Sequence, residues 1–165
     1  MKIVLDYPRL KRFKCVKCGI CCGDTLVKTR HILLLETEAF KISSETAKAI
    51  PEFATRVEDK EPYRYEMVKT TKEGMCIFLK KNRCMIYALR PLVCRFYPFE
   101  LRTISSRKHK FTFTDECIGL GQGFILQEAF FRNLLCMAQG RMNKQYRLGL
   151  TSKGLECLLI QSLHA

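Results

Sequence analysis

Apolar and polar positions alternate only over short stretches of this chain, which predicts small strands and brief helices. Residues 25–35 mix β-branched residues with the apolar run 32–35 and read as extended. Thr37 with Glu38 opens a short helix, and Ser44 with Glu45 a second that stops at Pro51. Residues 63–70 alternate like a strand; Gly74 then breaks the chain before Cys76-Ile77-Phe78-Leu79, and Lys81-Asn82-Arg83 forms a turn into Cys84-Met85-Ile86-Tyr87. Residues 99–104 and 110–114 flank Ser105-Ser106-Arg107-Lys108 and predict a hairpin. Between Phe124 and Leu148 the residues Ile125, Phe130, Leu134 and Met137 recur at helical spacing, and Thr151 with Ser152 precedes a last helix reaching Leu163. These elements predict an α+β fold: a small, irregular, cysteine-rich, metal-stapled single domain over residues 1–165. Residues 15–123 form its cysteine-rich metal-chelating region and residues 124–165 its helical C-terminal region. A chain of 165 residues has room for one core.

Composition narrows the class. With 47% hydrophobic and 27% charged residues the chain is globular in type. No apolar run approaches the roughly 18 residues of a membrane helix. The start, MKIVLDYPRLKRFK, lacks the apolar middle and small-residue cleavage site of a secretory signal, so the expectation is an intracellular, cytoplasmic protein. In that compartment thiols stay reduced, and ten cysteines then argue for metal ligation rather than a disulfide framework.

The cysteines are grouped. In Cys15-Val16-Lys17-Cys18-Gly19-Ile20-Cys21-Cys22 the two-residue gaps let the chain curl so that successive thiolates converge on one small inorganic centre. The spacing matches the first three ligands of a bacterial ferredoxin run, whereas zinc knuckles more often draw two ligands from each of two loops. An iron-sulfur cluster, 4Fe-4S by preference, is therefore favoured, with zinc as the alternative. Cys22, adjacent to Cys21, projects differently and suits a second centre or a bridge. Adding Cys76, Cys84, Cys94 and Cys117 gives eight ligands, enough for two four-thiolate sites or for one cluster with spare cysteines. Cys136 and Cys157 sit among leucines and are assigned to the core. His109 lies in a basic turn and His31 and His164 have no ligand neighbours, so none is a favoured ligand.

The middle segment adds a signature of its own: Gly74-Met75-Cys76-Ile77-Phe78-Leu79, then Cys84-Met85-Ile86-Tyr87, then Arg90-Pro91-Leu92-Val93-Cys94-Arg95-Phe96-Tyr97-Pro98-Phe99. Together with CVKCGICC and Cys117-Ile118-Gly119, this resembles the YkgJ-type CxxCxxCC family, a zinc- or iron-chelating domain also found in flagellin lysine N-methylases. The resemblance runs from about Cys15 to Gly123 and implies metal chelation, with an association with methyl transfer in the flagellin enzymes. It implies no methylase here, because no glycine-rich loop follows a first strand as a nucleotide-cofactor fold requires.

Gly119 and Gly121, in Gly119-Leu120-Gly121-Gln122-Gly123, are read as letting backbone N–H groups approach the sulfur of Cys117 while opening the helix at Phe124. Arg90 and Arg95 are read as charge compensation beside an anionic centre, with Arg90-Pro91 starting a helix. The formal net charge of +13 stays strongly positive even after thiolate ligation. Eight of the sixteen acids fall between Glu36 and Glu66, which polarises the surface. A basic face of this kind suits RNA, a ribonucleoprotein or an acidic protein, and the alternative function is a zinc-stapled basic binding module docked on RNA.

Overall fold

The computed structural model describes residues 3–26 and 28–146. In chain order the strands and helices are β1 (Val4–Asp6), β2 (Arg12–Phe13), β3 (Leu33–Leu34), α1 (Glu36–Thr46), β4 (Ala54–Arg56), β5 (Tyr65–Met67), β6 (Leu79–Lys80), β7 (Arg83–Cys84), α2 (Leu92–Phe96), β8 (Phe99–Ser105), β9 (Lys108–Phe113), β10 (Leu120–Ile125) and α3 (Glu128–Tyr146). The fold is α+β. Its strands form four small sheets, β1-β9-β8, β10-β2, β3-β5-β4 and β6-β7.

Two apolar cores organise these pieces. In the first, Leu34, Ala39, Ile42, Phe53, Met67 and Phe78 bury one face of α1 against the β3-β5-β4 sheet. Cys76 belongs to this core, and Cys22, Cys84 and Cys94 pack against it, so the cysteine loops rest on a packed foundation. The second core is aromatic: Phe99 and Phe111 of the β8-β9 hairpin meet Phe131 of α3, with the Phe99 and Phe131 rings edge to face at 5.2 Å. Phe13 of β2 and Phe96 of α2 pack onto it. The cysteine-bearing segments are therefore clamped from two sides by burial that needs no metal.

A single carboxylate joins the helices. Glu38 is 7% exposed and accepts hydrogen bonds from the backbone N–H of Leu35 (3.1 Å), the backbone N–H of Leu92 (2.8 Å) and the Arg141 guanidinium (2.6 Å). It thus ties α1 to the start of α2 and to α3, and α2 carries Cys94.

The expected hairpins form at β6-β7 and β8-β9; Lys81 and Asn82 both take positive φ in the tight turn between β6 and β7. Three expectations need correction. One helix, α1, runs through Ser43 and Ser44 where two were expected, because Ser43 and Thr46 hydroxyls donate to the Lys48 and Ile42 carbonyls while Ile42 continues the buried face. Phe124 and Ile125 belong to β10, since pairing with β2 prevails over helical spacing, and the helix begins at Glu128. Most of residues 25–35 is irregular, with a strand only at Leu33–Leu34. The last helix expected after Thr151, with Cys157 and His164, lies outside the described residues. Among the described residues no helix is long and apolar enough to cross a membrane.

Candidate metal centre

The CVKCGICC segment is folded by left-handed backbone at Lys17 (φ 56°) and Gly19 (φ 80°), followed by a one-turn 3-10 helix, Ile20–Cys22, closed by the Cys22 N–H donating to the Gly19 carbonyl at 2.8 Å. Gly19 is the residue that takes such a φ without strain. Beyond the turn, Gly23 lies against Met75 so closely that a Cβ there would stand 2.1 Å from the Met75 sulfur. The Cys76 N–H donates to the Cys22 carbonyl at 2.6 Å, which stitches the first cysteine group to the second. Asp24 finishes the anchor: it accepts from Lys69 Nζ (2.6 Å) and the Arg30 backbone N–H (2.8 Å), and these bonds hold its carboxyl below the ordinary carboxylate range.

Around this anchor, Cys15, Cys18, Cys21, Cys22, Cys84, Cys94 and Cys117 line one cavity of about 200 Å³. That is several times the roughly 30 Å³ a water occupies. Cys76 is buried behind this wall, close enough to Cys84 and Cys21 to feel their charge. The Cys21 and Cys22 sulfurs are 3.9 Å apart. Among the described residues no three His, Cys, Asp or Glu side chains converge tightly enough to hold a single ion. The thiols ring a space; they do not close on a point.

Their electrostatics match a site made for a cation. Hydrogen bonding to Cys22 and burial push the Cys21 thiol well above its ordinary range. Burial, then repulsion from Cys21, Cys76 and Cys84, does the same to Cys94, and burial pushes Cys76 up to about 11. Cys84 and Cys117 are raised, again chiefly by burial, with like charge from Cys21 on the first and from Cys18 and Cys21 on the second. Assembling several thiolates here without a cation is therefore unfavourable. Yet the backbone eases charge at three sulfurs: the amides of Phe78 at Cys76, of Ile86 at Cys84 and of Gly119 at Cys117 lower the cost of a thiolate, while the Leu79 and Leu120 N–H groups donate to the Cys76 and Cys117 carbonyls at 2.8 and 3.0 Å. An amide two residues after a sulfur, repeated at three separate loops, stabilises its anionic form. The donor set thus fits a thiolate-ligated metal group.

Arg90 and Arg95 both stand on the cavity wall. Arg90 lies 3.6 Å over the Tyr87 ring, donates to the Tyr87 carbonyl and lowers the cost of charge at Cys84 and Cys94. Arg95 donates to the carbonyls of Arg90 and Ala88 and so braces that loop. Gly119 approaches Cys117 through its N–H, and a Cβ on it would fall 2.5 Å from the Lys14 carbonyl oxygen. Gly121 has open space around it and lies away from the cavity lining. Cys136, half-buried on α3, is disulfide-bonded rather than the free core thiol expected. His109, expected in a basic turn, lies within β9 and is buried.

Sequence reasoning missed Arg30, whereas Tyr97 stands in the Arg90–Phe99 signature that it singled out. Arg30 is buried, ion-pairs with Glu116, stacks at 5.0 Å on the Tyr97 ring and lowers the cost of charge at Cys21. Tyr97 lines the cavity, and burial pushes its hydroxyl up to about 12. An arginine in Thr29-Arg30-His31 carries no sequence signal of burial.

Comparison with known families decides the assignment. Residues 14–118 match the CxxCxxCC family, described as "Putative zinc- or iron-chelating domain". The chain belongs to the CxxCxxCC family. Its matched segment holds all eight cavity-region cysteines, and metal binding is the general function that membership supports. An uncharacterized protein of Methanocaldococcus jannaschii is 31% identical over 128 residues, covering 72% of this chain; the chain spans 64% of that relative's length. No solved structure matches the chain.

Proposed function

We propose that the cavity holds an iron-sulfur cluster, 4Fe-4S in type, and that the protein serves a redox role or one associated with methyl transfer. The observation that carries this reading is the ring of seven cysteines around a cavity of about 200 Å³. A cavity of that size lined by that many thiols suits a multi-atom inorganic body better than a single tetrahedral zinc. The amides directed at Cys76, Cys84 and Cys117 support it, because hydrogen bonds to cluster sulfurs set reduction potential. Arg90 and Arg95 offset the centre's negative charge from the wall. Exposed Cys15 leaves the outer side of the cavity near solvent, where a redox partner can approach.

When bound, the cluster would supply one-electron chemistry; the chain's own residues hold it, shield it with Phe13, Tyr97 and Phe130, and tune it. The test is the visible spectrum of protein purified without oxygen, before and after dithionite. Broad visible absorption that bleaches on reduction supports the proposal. A colourless, zinc-containing protein contradicts it and makes the centre structural.

A further inference from the structure

The β2-β10 ribbon combines two features that the metal site leaves unused. Lys14 N–H donates to the Gly119 carbonyl (3.1 Å) and Leu126 N–H to the Lys11 carbonyl (2.8 Å), so residues 11–14 run antiparallel beside residues 119–126. On one strand and its flanks stand Arg9, Lys11, Arg12 and Lys14, none of which joins an ion pair among the described residues or lines the metal cavity. On the other, Phe124 is 90% exposed. Arg12 reaches across to donate to the Gly123 carbonyl at 3.3 Å, which places its guanidinium beside the residue preceding that ring. Gly121, with nothing within 4 Å of where a Cβ would stand, leaves the strip next to Phe124 bare.

Acids are scarce here. Residues 7–14 and 117–127 contain none. Of the acids bordering the ribbon, Asp6, Glu116 and Glu128 are paired with Lys110, Arg30 and Arg132, which leaves Asp115.

We propose that this ribbon binds single-stranded nucleic acid, with Phe124 stacking on a base and the flanking cations on the phosphates. An exposed aromatic ring beside closely spaced, unpaired cations is the combination that tracks a single strand without reading its sequence. An anionic membrane fits less well, because the apolar groups are interleaved with charge: Leu10 lies between Arg9 and Lys11, and Phe13 between Arg12 and Lys14. An acidic protein segment would use the cations and leave the ring idle. The inference does not depend on which metal the cavity holds.

The experiment is fluorescence anisotropy of a labelled oligouridine of about twelve nucleotides titrated with the metal-loaded full chain, between about 50 and 200 mM salt. Saturable binding is expected, with log affinity falling about 0.7 per contacted phosphate for each log unit of salt. Phe124→Ala should weaken binding about tenfold with the salt slope unchanged. Arg12→Gln combined with Lys14→Gln should flatten the slope by roughly 1.4. Phe40→Ala, at a ring 57% exposed on α1, should change neither and controls for loss of any surface aromatic. Circular dichroism and metal content confirm that each variant is folded. The proposal is overturned by the absence of saturable RNA binding, by equal effects of the two phenylalanine variants, or by binding confined to phosphatidylserine vesicles.

Discussion

Cys18 lines the cavity and adds like charge at Cys117, whereas Cys136 lies on α3, away from the lining and disulfide-bonded. Removing the first takes a sulfur from the ring; removing the second takes none. Cys18→Ala should therefore lose most bound metal and unfold at lower temperature, while Cys136→Ala should keep full metal content, as measured by elemental analysis and thermal melts of both variants. Equal metal loss from the two would overturn this division of the cysteines. At this scale the cysteines that ring the cavity were legible, because two-residue gaps between cysteines have few other physical uses. The residues that adjust their charge were legible only in part. Arg90 and Arg95 could be read from their place beside Cys94, but Arg30 reaches the site from a segment whose sequence says nothing of burial. The amides facing Cys76 and Cys84 belong to ordinary apolar residues, Phe78 and Ile86, and depend on loop conformation that side-chain identity does not encode.

Among the elements, α1, α2 and α3 meet at Glu38, whose two oxygens accept from Leu35, Leu92 and Arg141. Glu38→Ala would leave the α2 N-terminus and the Arg141 guanidinium without this partner, in a site only 7% exposed at the carboxylate. A loss of about 3 kcal/mol is expected, since hydrogen bonds to a buried charged group exceed neutral ones. Because α2 carries Cys94, metal affinity should fall with stability; urea denaturation of the metal-free and metal-loaded forms measures both. Unchanged stability would show that the helices are held by apolar packing alone. The hairpins were readable from turn chemistry, as Lys81-Asn82 and Ser105-Ser106 show. Helix limits were not. Ser44-Glu45 carries the signs of a helix start, but the helix that buries Ala39 and Ile42 runs on through it to Thr46, and Phe124 has helical spacing to the residues after it while its strand partner lies more than a hundred residues earlier. Local pattern cannot report pairing over that distance.

For the molecule as a whole, the raised thiols give two opposite pH dependences. In the metal-free protein Cys76, Cys84, Cys94 and Cys117 bind their protons more tightly than in the unfolded chain. Their contribution to stability is full below the ordinary thiol range and is lost as pH rises through the folded values, about 11 for Cys76. With metal the sign reverses, because ligation needs deprotonated sulfur and acid returns the protons. Thermal melts across pH should show the metal-free form weakening in alkali and the loaded form weakening in acid. Parallel profiles would contradict thiolate ligation. The two apolar cores explain how the cysteine loops can be held near one another before metal arrives. The most direct test of the central claim is the content of iron, zinc and acid-labile sulfide per chain in protein purified without oxygen. The account predicts about four irons and four sulfides per cluster; zinc in place of iron, with no labile sulfide, would contradict it.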